Sequence, residues 1–458
     1  MINRFIFALF IIITIAHPAF ADSAKVLDVQ KLKTPAGIEV WLVEDKSVPV
    51  ISISYSFEGG LVYDPEEKPG VGRLVSILLD EGADDLTSQQ FQGQLSDNAI
   101  GIEFNAGRDA FYGRLKTLKA NKDTAFHLLS LALTKPRFDG DAIERMRNAN
   151  ASGIKDDMGE PGWLVARTFN GMVFEGHPYA VPGFGTLESM TKITRQDLLD
   201  FVHAQFARDV LKVSIAGDIS KEEAAKAVDG IFASLPAQAE KTDQGEAAFK
   251  YPGKTIMLPL DVPQTYISAG EAGIKRDDKD WQAATIMNYI LGGSDFDARL
   301  MREIRKKRGL TYGVYSTLTS MKHAGLLQAN LSASNEKVAE ALSLLRQEWA
   351  KMAKDGATEE EVQDAKAYLT GSLPLELTST DSISETLNSL QRDGLDYDYI
   401  NRRNAELNAV TTADIKRVAA RLLKPENLTI VLVGQPQGVT ADIMLDHPPG
   451  TAAPQQKQ

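Results

Sequence analysis

The sequence predicts an α+β protein made of two similar halves, in which helices pack on largely antiparallel sheets. Two observations lead to this fold class. Strand-like and helix-like segments follow one another without the regular alternation of parallel α/β proteins. A helix-then-strand pattern in the middle of the chain also recurs near its end. The chain has 458 residues, of which 43% are hydrophobic, so it is long enough to bury two cores.

The recurring pattern runs from residue 194 to 217 and again from 411 to 434, an offset of 217 residues. A Thr opens each copy and an Asp follows three residues later, which predicts a capped helix start. Each copy ends in an apolar run closed by Gly, at 211–217 and 428–434, which predicts a buried strand.

The other elements are predicted from the spacing of apolar residues. The predicted strands lie at residues 50–58 and 265–269. The predicted helices lie at residues 68–82, 115–134, 221–235, 336–353 and 359–371, with a further helix that ends at residues 292–293.

Composition divides the chain between the two halves. Residues 238–252 are polar and poor in apolar side chains, which is typical of a linker. We therefore predict an N-terminal domain at 26–237 and a C-terminal domain at 253–440. The proline- and glutamine-containing residues 447–458 predict a disordered tail.

The first 21 residues have the pattern of a secretory signal peptide. Arg4 precedes an apolar run at residues 5–16, and Ala19-Phe20-Ala21 has the small residues of a cleavage site. The apolar run is too short to span a bilayer as an anchor. We therefore expect cleavage between Ala21 and Asp22 and a periplasmic protein with no membrane anchor.

Charge and composition exclude several functions. The net charge is −12, which argues against a nucleic-acid partner. The chain contains no Cys, so disulfides, thiolate metal sites and cysteine nucleophiles are excluded. No two of the six His are within twenty residues of each other; they are His17, His127, His177, His203, His323 and His447.

A basic helix end followed by a strand draws attention to Arg305 and Tyr312. Residues 296–309 predict a helix, and residues 310–315 predict the start of a strand. Arg305 would then lie on the last helical turn and Tyr312 early in the strand. Two interpretations of the pair are open: dipole compensation beside a half-buried Tyr, or two donors that converge on an oxyanion.

Three segments together resemble the pitrilysin/insulinase (M16) family of zinc peptidases. They are residues 291–312, the Gly176-His-Pro-Tyr179 loop that continues to Thr186, and the internal repeat. The similarity is to short bacterial members that resemble subunits of mitochondrial processing peptidase. It implies two α+β domains joined by a linker, which form half of a clamshell around unfolded peptides. Within the loop, no carboxylate or second His lies at ligand spacing from His177, which favours a structural role over a metal ligand.

The chain departs from the family where zinc would bind. Family members carry His-x-x-Glu-His on the first long helix. This chain has Arg73 and Ile77 at the two ligand positions and Ser76 at the base position. The position of the further Glu ligand falls near residues 152–153, where there is no carboxylate. Ile has no donor atom, Arg is a permanent cation, and Ser is not a base at neutral pH. We therefore expect no metal in this chain.

The resemblance implies that Arg305 and Tyr312 match the family residues that bind the substrate carbonyl and stabilise its oxyanion. The expected function is a non-metal subunit of a heteromeric periplasmic zinc metallo-endopeptidase. A partner with His-x-x-Glu-His would hold the zinc, and this chain would supply Arg305 and Tyr312 in trans. The alternative is a catalytically inert peptide-binding or scaffold protein of the same fold. A self-sufficient enzyme is a third reading, although the chain has no Gly-x-Ser-x-Gly motif.

Overall fold

The computed structural model describes residues 25–240, 242–293 and 297–450. The predicted signal peptide and residues 451–458 of the predicted tail lie outside these ranges. Within them, no helix is both long and apolar enough to cross a membrane.

The described residues contain strands β1 to β14 and helices α1 to α15. The strands are β1 Gln30–Lys33, β2 Glu39–Glu44, β3 Val50–Glu58, β4 Gly82–Ala83, β5 Leu86–Thr87, β6 Gly101–Ala106, β7 Ala110–Leu118, β8 Leu211–Gly217, β9 Thr255–Leu258, β10 Gln264–Ala272, β11 Val314–Ser320, β12 Gly325–Ser334, β13 Thr429–Val433 and β14 Ile443–Met444. The helices are α1 Val71–Ser76, α2 Ser88–Asp97, α3 Lys122–Thr134, α4 Gly140–Asp157, α5 Pro161–Val173, α6 Leu187–Lys192, α7 Arg195–Gln205, α8 Lys221–Phe232, α9 Trp281–Gly292, α10 Val338–Asp355, α11 Glu359–Gly371, α12 Leu373–Glu376, α13 Thr380–Arg392, α14 Tyr399–Ala409 and α15 Thr412–Leu422.

Two six-stranded sheets form the framework of the described chain. The first has the order β1-β2-β8-β3-β7-β6, and the second has the order β14-β9-β13-β10-β12-β11. In each sheet the strand that closes the repeat, β8 or β13, has one parallel and one antiparallel neighbour. The predicted α+β class with largely antiparallel sheets is therefore confirmed.

The internal repeat has the same local structure in both copies. Thr194 accepts a hydrogen bond from the Asp197 amide at the start of α7, and Thr411 accepts one from the Asp414 amide at the start of α15. Gly217 follows at φ 134°. A β-carbon there would lie 2.1 Å from the carbonyl oxygen of Val50, so the close strand approach requires glycine.

Each sheet packs on helices of its own half. In the first half, the ring of Phe57 on β3 stacks on Phe206 at 4.6 Å between ring centres, and both are fully buried. In the second half, Trp349 on α10 is fully buried and donates to the Glu271 carboxylate at 2.6 Å. Burial raises the pKa of Glu271 to about 7, although the hydrogen bonds from the Trp349 side chain and the Lys424 amide oppose the rise.

The two halves also exchange one helix each. Helix α5 of the first half packs on β10 and β13 of the second sheet, and α13 of the second half packs on β3 and β8 of the first. At one contact a β-carbon on Gly270 would lie 2.7 Å from the ring of Phe169. At the other, the hydroxyls of Ser54 and Ser384 are 2.9 Å apart. We call α5 and α13 the exchanged helices.

Residues 247–250 of the predicted linker are hydrogen-bonded to both halves. The Ala247 amide donates to the His323 carbonyl, and the Lys250 amide donates to the Val173 carbonyl, both at 2.8 Å. The ring of Phe249 packs against Phe169 of α5. The domain boundaries drawn from composition stay a prediction, since the exchanged helices make each sheet depend on both halves.

Two predicted helices are wrong in extent. The predicted helix 68–82 is only α1, residues 71–76, because Ser76 donates its hydroxyl to the Arg73 carbonyl and the chain then turns. Gly82 begins β4 rather than capping a helix. The predicted helix 115–134 contains the end of β7, since residues 115–118 alternate between buried and exposed, and α3 begins only at Lys122.

Candidate functional site

The position at which the sequence resemblance placed the degenerate zinc motif is occupied by a cationic side chain. Arg73 lies on α1, which packs beside α4. Its Nε is 3.5 Å from the amide oxygen of Asn150 on α4, and its guanidinium carbon is 4.9 Å from the ring centre of Phe184. Burial lowers the pKa of Arg73 from its usual value, and the group stays a cation at neutral pH.

The other two positions of the motif face the protein. Ser76 is 3% exposed, and its hydroxyl donates to the Arg73 carbonyl at 2.8 Å. Ile77 packs against the core of the first half. Ser152 and Gly153 of α4, near which the sequence placed the further ligand, are exposed. These groups do not fit zinc, which prefers imidazole, thiolate and carboxylate ligands.

Acidic groups near this site are already engaged. Glu81 follows α1, accepts the Ser88 hydroxyl at 2.6 Å and pairs with Arg145. Among the described residues, no group of three or more His, Asp or Glu could hold a metal ion.

The 176–186 loop is held by a buried polar network. The ring Nδ1 of His177 accepts from the Tyr179 amide at 3.1 Å. The Tyr179 hydroxyl donates to the Asp109 carboxylate at 2.6 Å and accepts from the His323 amide. Burial and the Asp109 charge raise the pKa of Tyr179, whereas burial and His323 lower the pKa of His177. The network gives His177 a structural contact to its own loop.

A buried carboxylate connects this loop region to α1. Asp64 accepts the amides of Gly70 and Gly72 at 2.7 and 2.9 Å, at the start of α1. Burial raises the pKa of Asp64 to about 7, although these amide hydrogen bonds oppose the rise. Close by, a β-carbon on Gly70 would lie 3.0 Å from the Gly185 α-carbon, so the loop and α1 are in tight contact.

Arg305 and Tyr312 lie in the two successive segments that precede β11 in the second half. Arg305 is half-buried on a π-helical segment, Met301–Lys306. The wider turn closes with a hydrogen bond from the Lys307 amide to the Arg302 carbonyl. Such π-helical segments are frequent at functional sites.

The position of Tyr312 differs from the prediction. Strand β11 begins at Val314, so Tyr312 lies in the preceding loop rather than in the strand. The Thr311 hydroxyl donates to the Gly313 carbonyl at 2.8 Å, and this local turn keeps residues 311–313 out of the ladder. Tyr312 is 81% exposed, so its phenol is accessible to a ligand.

Sequence analysis did not identify Asn150, Phe184 or Asp64. Asn150 donates to the Phe184 carbonyl at 3.0 Å, so the residues beside Arg73 form one unit across α4 and the loop. The only sequence signal was the density of turn residues around Phe184. Asp64 belongs to no sequence motif, because its hydrogen bonds to the amides at the start of α1 depend on where the chain folds back.

Comparisons with known proteins agree on one family. The family model described as the peptidase M16 inactive domain matches residues 192–369. The chain is 27% identical over 393 residues to the non-peptidase homolog YmxG of Helicobacter pylori, covering 84% of this chain and 88% of that protein. It is 22% identical over 405 residues to the uncharacterized zinc protease YmxG of Bacillus subtilis, covering 87% and 96%.

Solved structures are similar over almost the whole chain. The peptidase M16 inactive domain from Pseudomonas fluorescens superimposes with a TM-score of 0.84 at 28% identity, covering 91% of this chain and 99% of that chain. A chain of complex III2 from Candida albicans gives a TM-score of 0.73 at 16% identity, covering 89% and 96%, which shows the shared fold alone.

Proposed function

Because this chain belongs to the M16 family, we propose that it is the non-metal subunit of a heteromeric zinc metallo-endopeptidase. The family predicted from the sequence is confirmed by the matched inactive domain at residues 192–369 and by the similar M16 structure. Its relatives include a protein named as a non-peptidase homolog.

The observation that carries the proposal is the cation at the zinc position. Arg73 is placed between Asn150 and Phe184, and its charge would repel a dication at that place. Ser76 and Ile77 offer no base and no ligand. The metal is therefore assigned to a partner chain that carries His-x-x-Glu-His.

The contribution of this chain to catalysis is assigned to Arg305 and Tyr312. Peptide hydrolysis places negative charge on the carbonyl oxygen in the transition state, and fixed donors lower that barrier. The exposed phenol of Tyr312 and the half-buried guanidinium of Arg305 are donors of the required kind. In this proposal they reach the substrate when the two subunits close on an unfolded peptide.

Purification of the mature chain alone and with an exported His-x-x-Glu-His homologue tests the proposal. We expect no stoichiometric zinc and no cleavage of an unfolded peptide by the chain alone, and cleavage by the mixture. Elemental analysis and a fluorogenic peptide assay give both readouts. One tightly held zinc per isolated chain would contradict the proposal.

The second candidate function is a catalytically inert peptide-binding or scaffold protein. The name of the Helicobacter pylori relative, a non-peptidase homolog, favours it. The second function would be supported if the complex forms and holds zinc, but the zinc-bearing partner cleaves peptides equally well without this chain.

The proposed compartment is the periplasm. It rests on the Arg4-led apolar run and the Ala19-Phe20-Ala21 cleavage pattern. N-terminal sequencing of material from the periplasmic fraction should begin at or close to Asp22. Soluble cytosolic protein that keeps Met1 would contradict this localisation.

A further inference from the structure

A pocket of about 230 Å³ lies between α5, the 176–186 loop and the turn that joins β6 to β7. Two arginines line it, Arg108 from the turn and Arg167 from α5. The remaining wall includes the amide of Asn170, the rings of Trp163 and Phe184 and the carboxylate of Asp157. Phe184 is the ring that also contacts Arg73, so the pocket adjoins the position of the lost metal site.

Arg167 is a buried cation whose hydrogen-bond partners are neutral. It is 7% exposed, its Nη1 donates to the Ala180 carbonyl at 2.5 Å, and its Nη2 donates to the Pro449 carbonyl. Its Nε is buried and has no hydrogen-bond partner in the described part of the chain. A buried guanidinium with an unused donor and no carboxylate is costly unless an anion binds to it.

Arg108 increases this positive charge. Its Nη1 is 3.0 Å from the sulfur of Met321, and its guanidinium carbon is 5.0 Å from the ring centre of Tyr179. The neighbouring Asp109 carboxylate attracts Arg108, but it already accepts the Tyr179 hydroxyl and the Lys322 amide. Burial, and then repulsion by Arg108, lower the pKa of Arg167 to about 10.

The lining groups define the ligand. Among the groups that line the pocket, two guanidinium groups face the single carboxylate of Asp157. The Asp109 carboxylate lies outside the lining and offsets part of the charge of Arg108, so Arg167 is the cation that lacks a carboxylate partner among the described residues. Guanidinium groups bind carboxylates through paired, charge-assisted hydrogen bonds. The rings of Trp163 and Phe184 provide an apolar wall beside these cations. The pocket therefore suits a carboxylate that carries an apolar side chain.

We propose that this pocket binds the C-terminal carboxylate of a peptide, with Arg108 and Arg167 as the cations that hold it. The identification of the ligand as a peptide rests on the proposed function, in which the two subunits close on an unfolded peptide. The charge and the burial of the two arginines are independent of that function.

Calorimetry on the isolated chain tests the proposal. The probes are N-acetyl-Ala-Ala-Phe as the free acid and as its C-terminal amide, at one fixed low ionic strength. We expect the acid to bind at least about tenfold more tightly than the amide, the size of effect expected for hydrogen bonds to a charged group. Arg108→Gln should bring the two affinities within about a factor of two of each other.

Matched variants separate the site from general charge and from folding. Arg114→Gln, on β7, removes the same charge from an exposed Arg outside the pocket, and it should keep the acid preference. Arg108→Lys keeps the cation and loses the planar fork, so it should retain an intermediate preference. A thermal melt of each variant confirms folding before titration.

Three results would overturn the proposal. They are equal binding of acid and amide, a preference that survives Arg108→Gln, and inorganic phosphate that binds as tightly as the acid peptide and displaces it. Because the titration needs no partner chain, it can fail while the reconstituted complex still cleaves peptides. The titration can also show the acid preference when the complex proves inactive, so the two proposals are tested independently.

Discussion

At the scale of single residues, the predicted degenerate zinc positions are held by contacts within the protein. Arg73 makes contacts with Asn150 and Phe184, and Ser76 donates within its own helix. Sequence analysis predicted the loss of ligands from residue types alone, because Arg and Ile cannot donate a lone pair to zinc. It could not predict the Phe184 contact, which joins segments far apart in the chain.

Tyr312 is the residue whose role is easiest to isolate. Tyr312→Phe removes one hydroxyl from a side chain that is 81% exposed, so we expect little change in stability. If the phenol stabilises an oxyanion, turnover of the reconstituted complex should fall at least about tenfold, a threshold set below the roughly 10²–10³-fold that loss of one donor typically costs. Steady-state kinetics with one peptide substrate measures the change.

Tyr315→Phe is the matched control for this experiment. Tyr315 is 43% exposed on β11, three residues after Tyr312, and its variant should keep wild-type turnover. Zinc content and subunit association should be unchanged in both variants. Wild-type turnover by Tyr312→Phe would favour the scaffold function instead.

At the scale of elements, those with strong local signals were predicted well. The alternation in residues 50–58 gave β3 its full length, and α11 spans the predicted residues 359–371. Thr358 and Glu361 form the capping box of α11, so local hydrogen bonds fix where it begins. The end of β7 and the helix α3 were predicted as one helix. A purely apolar pattern does not distinguish a strand end from a helix start.

Helix α11 also holds an ion pair that should give the protein a pH-dependent stability. Glu361 binds the buried Arg299 at 2.6 Å. Burial would raise the pKa of Glu361, but the hydrogen bonds from Arg299 and Thr358 outweigh burial and lower it to about 2, from 4.5. Since the unfolded chain takes up this proton first, the stabilisation is present above pH 4.5 and decreases as the pH falls towards 2.

The prediction is made for the free energy of unfolding in urea at pH 6 and pH 3.5. Wild type should lose about 1 kcal/mol more than Glu361→Gln over this interval, after allowance for partial solvent screening. Glu360→Gln, an exposed neighbour on the same turn, should behave as wild type. Equal losses in wild type and Glu361→Gln would show that the pair does not set the acid stability.

At the scale of the whole molecule, the exchanged helices were beyond sequence analysis. The repeat predicted two halves of similar fold, but it carried no signal that α5 would lie on the second sheet or α13 on the first. Both contacts join residues more than 90 positions apart, such as Phe169 with Gly270 and Ser214 with Gln391. Patterns read in short windows contain no information on such pairs.

This exchange predicts that the two halves stay together after the linker is cut. A specific protease site inserted within residues 243–246, which have no regular secondary structure, should allow complete cleavage of the folded chain. The two fragments should elute together in gel filtration, because α5 and α13 each remain packed on the other fragment's sheet. Separate elution without denaturant would contradict the arrangement.

The exchange also sets an order of events during folding. The face of the first sheet that receives α13 is rich in buried hydroxyls, with Ser52 contacting Thr380, Ser54 contacting Ser384 and Ser214 contacting Gln391. While the chain is still emerging, this face stays uncovered until residues 380–392 have been synthesised. Hydroxyls remain well hydrated during that wait, whereas an apolar face would invite aggregation. The polar contact surface thus limits aggregation of the incompletely synthesised chain, and it also joins the two halves of the folded protein.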